Sequence, residues 1–205
     1  MSMVLREPRP HAPSVERTPD GLVRKSYDNC PPLLRWSVGR LAISRECWAL
    51  QKLAGSLHVP RLVSRPNPWT MVSEFVKGTP LESLPPEDAP HNLLMEQTRS
   101  LLSDLREAGV VHGDLGHDHW QDMGRETNLI WSSDSRLVAL DFAGSLPLNP
   151  SLPGFRAVSR ALHLHDRLLQ TKIAYHFCPE MENWTAEQTR WPLQVWELLR
   201  FLGKL

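Results

Sequence analysis

The sequence predicts an α+β fold, as one domain or as two small lobes around a cleft. Three observations carry this. The first third of the chain holds short alternating apolar runs punctuated by Pro, Gly and Asn, the pattern of hairpins. A proline-rich connector, Pro80 to Pro90, then interrupts the pattern and is the expected lobe boundary. Beyond it lie segments of helical spacing, broken once by two short apolar runs associated with Asn128 and Asp141.

Taken in order, residues 1 to 14 contain three prolines and little apolar pattern, and are expected to form a disordered tail. Residues 15–79 are expected as the first lobe and 80–205 as the second. Val15 to Thr18, a Pro19-Asp20-Gly21 turn and Leu22 to Tyr27 predict a hairpin. Cys30-Pro31-Pro32 breaks the chain. Leu33 to Gly55 has helical spacing, with Leu41, Trp48 and Leu53 as apolar candidates, and Gly39 placed to divide it. Leu62–Ser64 and Thr70–Phe75 predict strands around an Arg65-Pro66-Asn67-Pro68 turn. His91 to Ala108 predicts a helix closed by Gly109. Leu129–Trp131 and Leu137–Leu140 predict two strands around a Ser132–Ser135 turn. Pro147 to Pro153 is a loop, and Gly154–Phe177 and Thr185–Leu202 are expected helices.

Of 205 residues, 41% are hydrophobic and 22% charged, ordinary for a globular chain able to bury a core. Lys plus Arg equals Asp plus Glu at 23 each, so net charge argues neither for nor against an acidic partner; no nucleic acid is expected. No apolar run of membrane-spanning length occurs, and the N-terminus lacks a signal-peptide core. Cys30, Cys47 and Cys178 have neither zinc spacing nor a disulfide framework. A cytoplasmic setting fits, with the inner face of a membrane as the variant.

The stretch from Gly109 to Ser145 carries the chemistry. It contains His112-Gly113-Asp114-Leu115, then Asn128, then Asp141-Phe142-Ala143-Gly144. Phosphoryl transfer needs an acid to orient the attacking hydroxyl and oxygen ligands to hold magnesium on the phosphates. Asp114 fits the first need, Asn128 and Asp141 the second, and a hairpin can bring the last two to one end of a ribbon. Each also has a plain reading: a turn aspartate, a strand cap, a strand-end turn former. Lys25 shares a strand face with Val23, and an inward lysine needs a partner; Glu46 on the following helix can supply one, with Arg24 and Arg45 as rivals. His112 is expected to pack beneath the loop. His117 and His119 around Asp118 invite a transition-metal reading, but no fourth ligand is evident.

HGDL and DFAG resemble the catalytic and metal loops of the protein-kinase-like superfamily, and most closely its small bacterial RIO-like and lipopolysaccharide-core-kinase members. Leu22–Tyr27, Arg45–Leu53 and Trp69–Gly78 are similar, in order, to the lysine strand, the glutamate helix and the hinge. The resemblance implies a two-lobed fold with a reduced N-terminal sheet lobe and a short, mainly helical C-terminal lobe. It implies ATP and magnesium as cofactors, and a hydroxyl acceptor on a protein or a glycolipid. Lys25 and Glu46 would serve the phosphates, and the backbone of Glu74 and Val76 would serve adenine. The alternative is a pseudokinase acting as a scaffold.

Three departures accompany the resemblance. Gly21 is the sole glycine before Lys25, so no glycine-rich phosphate loop is evident. His119 stands where the pattern places its asparagine, which reads His117–Glu126 as an insertion before Asn128. Pro147, Pro150 and Pro153 follow Gly144, with no APE-like segment. Separately, Leu33 to Ile43 interleaves apolar residues with Arg35 and Arg40. It can pack on the smaller lobe, the simpler reading, or lie on a membrane surface. Nothing in the sequence sets the oligomeric state.

Overall fold

The computed structural model describes residues 3–6, 9, 11–115, 128–147, 169, 170, 173 and 177. Three strands open the chain: β1 (Met3–Arg6), β2 (Ser14–Arg17) and β3 (Leu22–Ser26). β1 pairs antiparallel with β2, Met3 opposite Arg17, so residues expected in a disordered tail supply an edge strand. The β2–β3 turn closes where the Gly21 N–H donates to the Thr18 carbonyl at 3.0 Å. Gly21 has φ +76°, a left-handed conformation open to a residue without Cβ.

After β3 the chain winds through α1 (Pro32–Leu34), a π-helical turn (Arg35–Gly39) and α2 (Arg40–Lys52). Gly39 sits at the junction, as expected. A Cβ there would lie 2.8 Å from Tyr27 Cγ, so only glycine lets the helix rest on the Tyr27 ring. α2 buries Ala42, Ile43, Glu46, Cys47, Ala49 and Leu50, a stripe at three- and four-residue spacing. Leu53 is buried and Trp48 packs on the core, but Leu41, the third apolar candidate, is 53% exposed.

β4 (Leu62–Asn67) and β5 (Thr70–Glu74) complete a sheet of order β1-β2-β3-β5-β4. β4 runs through the expected turn as far as Asn67. It is an edge strand with two register shifts, where Pro66 can lack a ladder donor.

β6 (Gly78–Pro80) pairs with β8 (Leu129–Ser132), which pairs with β9 (Leu137–Ala139). Because β6 belongs to this second sheet, the chain crosses between lobes at Phe75–Lys77, just before the expected boundary. The proline-rich connector lies beyond the crossing, as two 3₁₀ turns (Leu81–Ser83 and Pro86–Asp88). α3 (His91–Glu107) buries Leu94, Met95, Thr98, Leu101 and Leu105, and Gly109 ends it in the left-handed conformation (φ +67°). β7 (Val110–Val111) follows and pairs with β10 (Leu146–Pro147). One continuous core runs through both lobes, joining Ile43, Leu50 and Met71 to Leu101, Leu129 and Phe142. Of the expected Gly154–Phe177 helix, Leu169, Gln170, Ile173 and Phe177 are helical. Leu169, Ile173 and Phe177 are buried at four-residue spacing. The rest of it, and the expected Thr185–Leu202 helix, lie outside the described residues. No helix of the described residues is long and apolar enough to cross a membrane.

Candidate active site

Lys25 lies on the third strand of the sheet, opposite Met71 of β5, with only 8% of its surface exposed. Strand alternation turns it inward, towards α2. Its Nζ donates to Glu46 Oε2 at 2.7 Å and to Asp141 Oδ1 at 2.6 Å. Arg24, a rival for this pairing, faces the other way and pairs with Asp28 at 2.8 Å. The Phe142 backbone amide adds a smaller pull that favours the charged Glu46 carboxylate. Two carboxylates and one ammonium thus share a site that is buried at Lys25 and Glu46 and open to water at Asp141. Burial opposes the charge on Lys25, but Glu46 and Asp141 outweigh it and hold the ammonium above its ordinary pKa. Burial pushes the Glu46 carboxyl up against the pull of Lys25. At Asp141 burial acts in the same sense, but the ammonium prevails and the carboxyl stays below its usual range.

Asp141 is held in an uncommon backbone state, φ +57°, which costs roughly 1 kcal/mol outside glycine. The same residue caps the 3₁₀ turn Phe142–Gly144, its Oδ1 accepting from the Ala143 N–H at 3.4 Å. That bend points the carboxylate across the cleft to β3. Ser145, also buried, locks the turn by donating to the Phe142 carbonyl at 2.7 Å.

Asp114 sits opposite. His112 is fully buried beneath it, edge-on to Phe142 at 4.5 Å between ring centres. Its Nε2 lies 2.9 Å from the Leu140 carbonyl, and its Nδ1 accepts the Asp114 N–H at 3.3 Å. An acceptor at one nitrogen and a donor at the other fix the neutral tautomer with hydrogen on Nε2. Burial lowers the ring's pKa in the same direction. Gly113 takes φ +77°, and Asp114 emerges exposed.

Asn128 joins this loop from fourteen residues away. Its Nδ2 donates to the Asp114 carbonyl at 2.8 Å and to Asp114 Oδ2 at 3.1 Å. Its own carbonyl accepts the Leu140 N–H at 2.8 Å, continuing the β8–β9 ladder, in which Leu129 faces Ala139. That register brings Asn128 and Asp141 to one end of the ribbon. The long spacing after Asp114 therefore does not separate the asparagine from the loop. His117, Asp118, His119 and the rest of the inferred insertion lie outside the described residues.

The donor set suits magnesium. With the Asn128 amide nitrogen committed to Asp114, the other branch of that amide is an oxygen. The contacts of Asp141 described above all fall on Oδ1. A carboxylate and an amide oxygen are hard ligands, and magnesium is ordinarily held by one or two carboxylates plus phosphates and water. No cluster of three His, Cys, Asp or Glu side chains suited to a metal occurs among the described residues.

At the crossing between lobes, Glu74 is tied into the sheet. Its N–H donates to the Arg61 carbonyl at 2.9 Å and its Oε2 accepts from the Arg61 N–H at 3.4 Å. The Glu74 N–H is thus committed within the sheet, and Val76 lies in the crossing. A cavity of about 240 Å³ lies against the crossing, lined in part by Glu74, Val76, Ser133 and Val138. Lys25, Asp114 and Asp141 are not among its walls.

Two features were missed in the sequence. β1 was hidden by the prolines that follow it, although Met3-Val4-Leu5 is an apolar run. Asp28 gathers Ser26 Oγ and Trp69 Nε1, each at 2.7 Å, and pins the end of β3. The Ser26-x-Asp28 spacing was the available signal.

No protein-family model and no curated protein matches the chain. Among solved structures it is similar to the Rio2 kinase of Chaetomium thermophilum, solved as an ADP/Mg2+-phosphoaspartate complex. The TM-score is 0.58 and the identity 15%, over 84% of this chain and 55% of that one. The chain thus spans little more than half the length of that kinase. With the sheet order, the crossing and the facing loops already described, the likeness shows that this chain has a protein-kinase-like fold.

Proposed function

We propose that the chain is an ATP- and magnesium-dependent phosphotransferase of the small RIO-like or lipopolysaccharide-core-kinase type. One observation carries the reading: Lys25, Glu46 and Asp141 converge within 2.7 Å, from three separate parts of the chain. Lys25 keeps its charge at any working pH and would neutralise phosphate oxygens, with Glu46 aiming it. Asp141 and Asn128 would hold magnesium, which when bound balances charge on the phosphates. Asp114, held by Asn128 and backed by His112, would orient the acceptor hydroxyl. The acceptor class is a serine or threonine, or a sugar hydroxyl of a glycolipid.

One feature favours the scaffold reading. The β1–β2 connection, residues 7–13, reads Glu-Pro-Arg-Pro-His-Ala-Pro. It has no glycine, and three of its seven residues lack a backbone N–H. A phosphate-covering loop relies on such groups.

A melting assay with ATP, in magnesium and in EDTA, separates the two readings. At a hundredfold excess over Kd, bound nucleotide stabilises by about 2.7 kcal/mol. For a chain this size that is a rise in Tm of roughly 5–10 °C. The rise should need magnesium and vanish in Asp141→Asn. An equal rise in EDTA would remove the metal assignment. No rise in either condition would favour the scaffold.

A further inference from the structure

The segment Leu33–Ile43 does not pack on the small lobe as a whole. Ile43 is fully buried and Leu34 partly so, but Leu33 is 84% exposed and Trp36, Val38 and Leu41 are each half exposed. Leu33, Trp36, Arg40 and Ser44 recur at three- and four-residue intervals, with Leu41 beside Arg40, so they share the outward side of one helical run. The π-helical turn Arg35–Gly39 lies at its centre. Trp36 is seated edge-on against Trp69, 4.7 Å between ring centres, which fixes a half-exposed indole in place.

The charge around this apolar face has one sign. From Asn29 to Arg45 the chain carries three arginines and no acid. Arg65 adds a fourth guanidinium, bonded to Ser44 Oγ at 2.7 Å. Asp28, the acid the segment touches, is already engaged by Arg24 and Trp69. Glu46 is buried on the opposite side of α2.

We infer that this face is a docking surface for an anionic lipid membrane. Exposed leucines with a tryptophan, flanked by arginines, match the layered chemistry of a bilayer interface. A second copy of the chain is a poorer occupant. A two-fold contact would press two copies of this arginine-lined face together, like charge against like. The inference does not depend on the proposed catalysis, since Leu33, Trp36, Arg40 and Leu41 lie outside the Lys25–Asp141 site.

The test is sedimentation of the full chain with phosphatidylcholine vesicles, with and without one third phosphatidylglycerol, at low and high salt. The chain should pellet with the anionic vesicles, and less so as salt rises. Arg40→Gln should weaken binding about fivefold. Leu33→Glu with Leu41→Glu should abolish it, with an unchanged melting temperature showing that the fold is kept. No pelleting of the parent, or equal binding to neutral vesicles, would overturn the inference. So would a concentration-dependent dimer in light scattering that these variants dissolve. Arg40→Gln and the salt dependence stand as the test if the double variant fails to fold.

Discussion

Replacing Lys25 by methionine keeps the side chain's volume and removes the cation shared by Glu46 and Asp141. Asp141 has 37% of its side chain exposed, so water can solvate it and its share of the penalty is small. Glu46 is 6% exposed and cannot be solvated in place. It will take up a proton instead. From the ordinary value of 4.5, neutralising it at pH 7 costs at most about 3.4 kcal/mol, 2.5 pH units at about 1.36 each. At pH 5 the same step costs about 0.8 kcal/mol. Lys25→Met should therefore be less stable than the parent by about 3 kcal/mol at pH 7, and should recover most of that at pH 5. The sign follows from linkage: in the variant the folded Glu46 binds a proton that the unfolded chain has released, so folding weakens as pH rises. Urea unfolding of the parent, Lys25→Met and Lys25→Met with Glu46→Gln, at both pH values, measures it. The double variant should lose the difference between pH 7 and pH 5 that Lys25→Met adds. A Lys25→Met protein as stable as the parent at pH 7, or equally destabilised at both pH values, would refute the buried ion cluster.

Other outcomes follow from the same geometry. His112 has a folded-state pKa below its ordinary 6.5, so its contribution is present above that value and is lost as pH falls through the folded value. Between pH 7 and 5 the parent should lose up to about 2 kcal/mol more than His112→Gln. Glu46 titrates in the opposite sense in both proteins and cancels in the difference; equal losses in the two proteins would contradict the neutral ring. Gly78 pairs with Ser132, and a Cβ there would lie 2.3 Å from the Trp131 carbonyl oxygen. Gly78→Ala should push β6 off β8, destabilise by about 1–3 kcal/mol and shift the adjoining crossing, which urea unfolding and ATP affinity would both register.

The local grammar of the chain was readable where punctuation and period agree. Gly21, Gly39 and Gly109 fall where the structure turns, divides or ends a helix, because each position demands a missing Cβ or a positive φ. The Lys25–Glu46 contact was readable from strand alternation and helix order. The Asp141 contribution to that pair was not, since it depends on a left-handed backbone at an aspartate and on two lobes meeting. Asn128 was legible as a ribbon end, but its bonds to Asp114 come from folding across fourteen residues that no spacing rule spans. β1 was lost to the prolines that follow it. The exposure of Leu33, Trp36 and Leu41 was left open between packing and a membrane surface, because an apolar period does not say whether a partner exists to cover it.

The central claim is tested most directly by transfer of labelled γ-phosphate from ATP. The parent and Asp114→Asn are incubated with magnesium and with cytosolic and membrane extracts as acceptor sources. The parent should label a hydroxyl acceptor. Asp114→Asn should cut turnover by about 10²–10⁴-fold while keeping the parent's ATP-induced rise in Tm, because the carboxylate acts on the acceptor and not on ATP. Transfer by Asp114→Asn at the parent rate, or no transfer by a parent that binds Mg-ATP, would contradict the account.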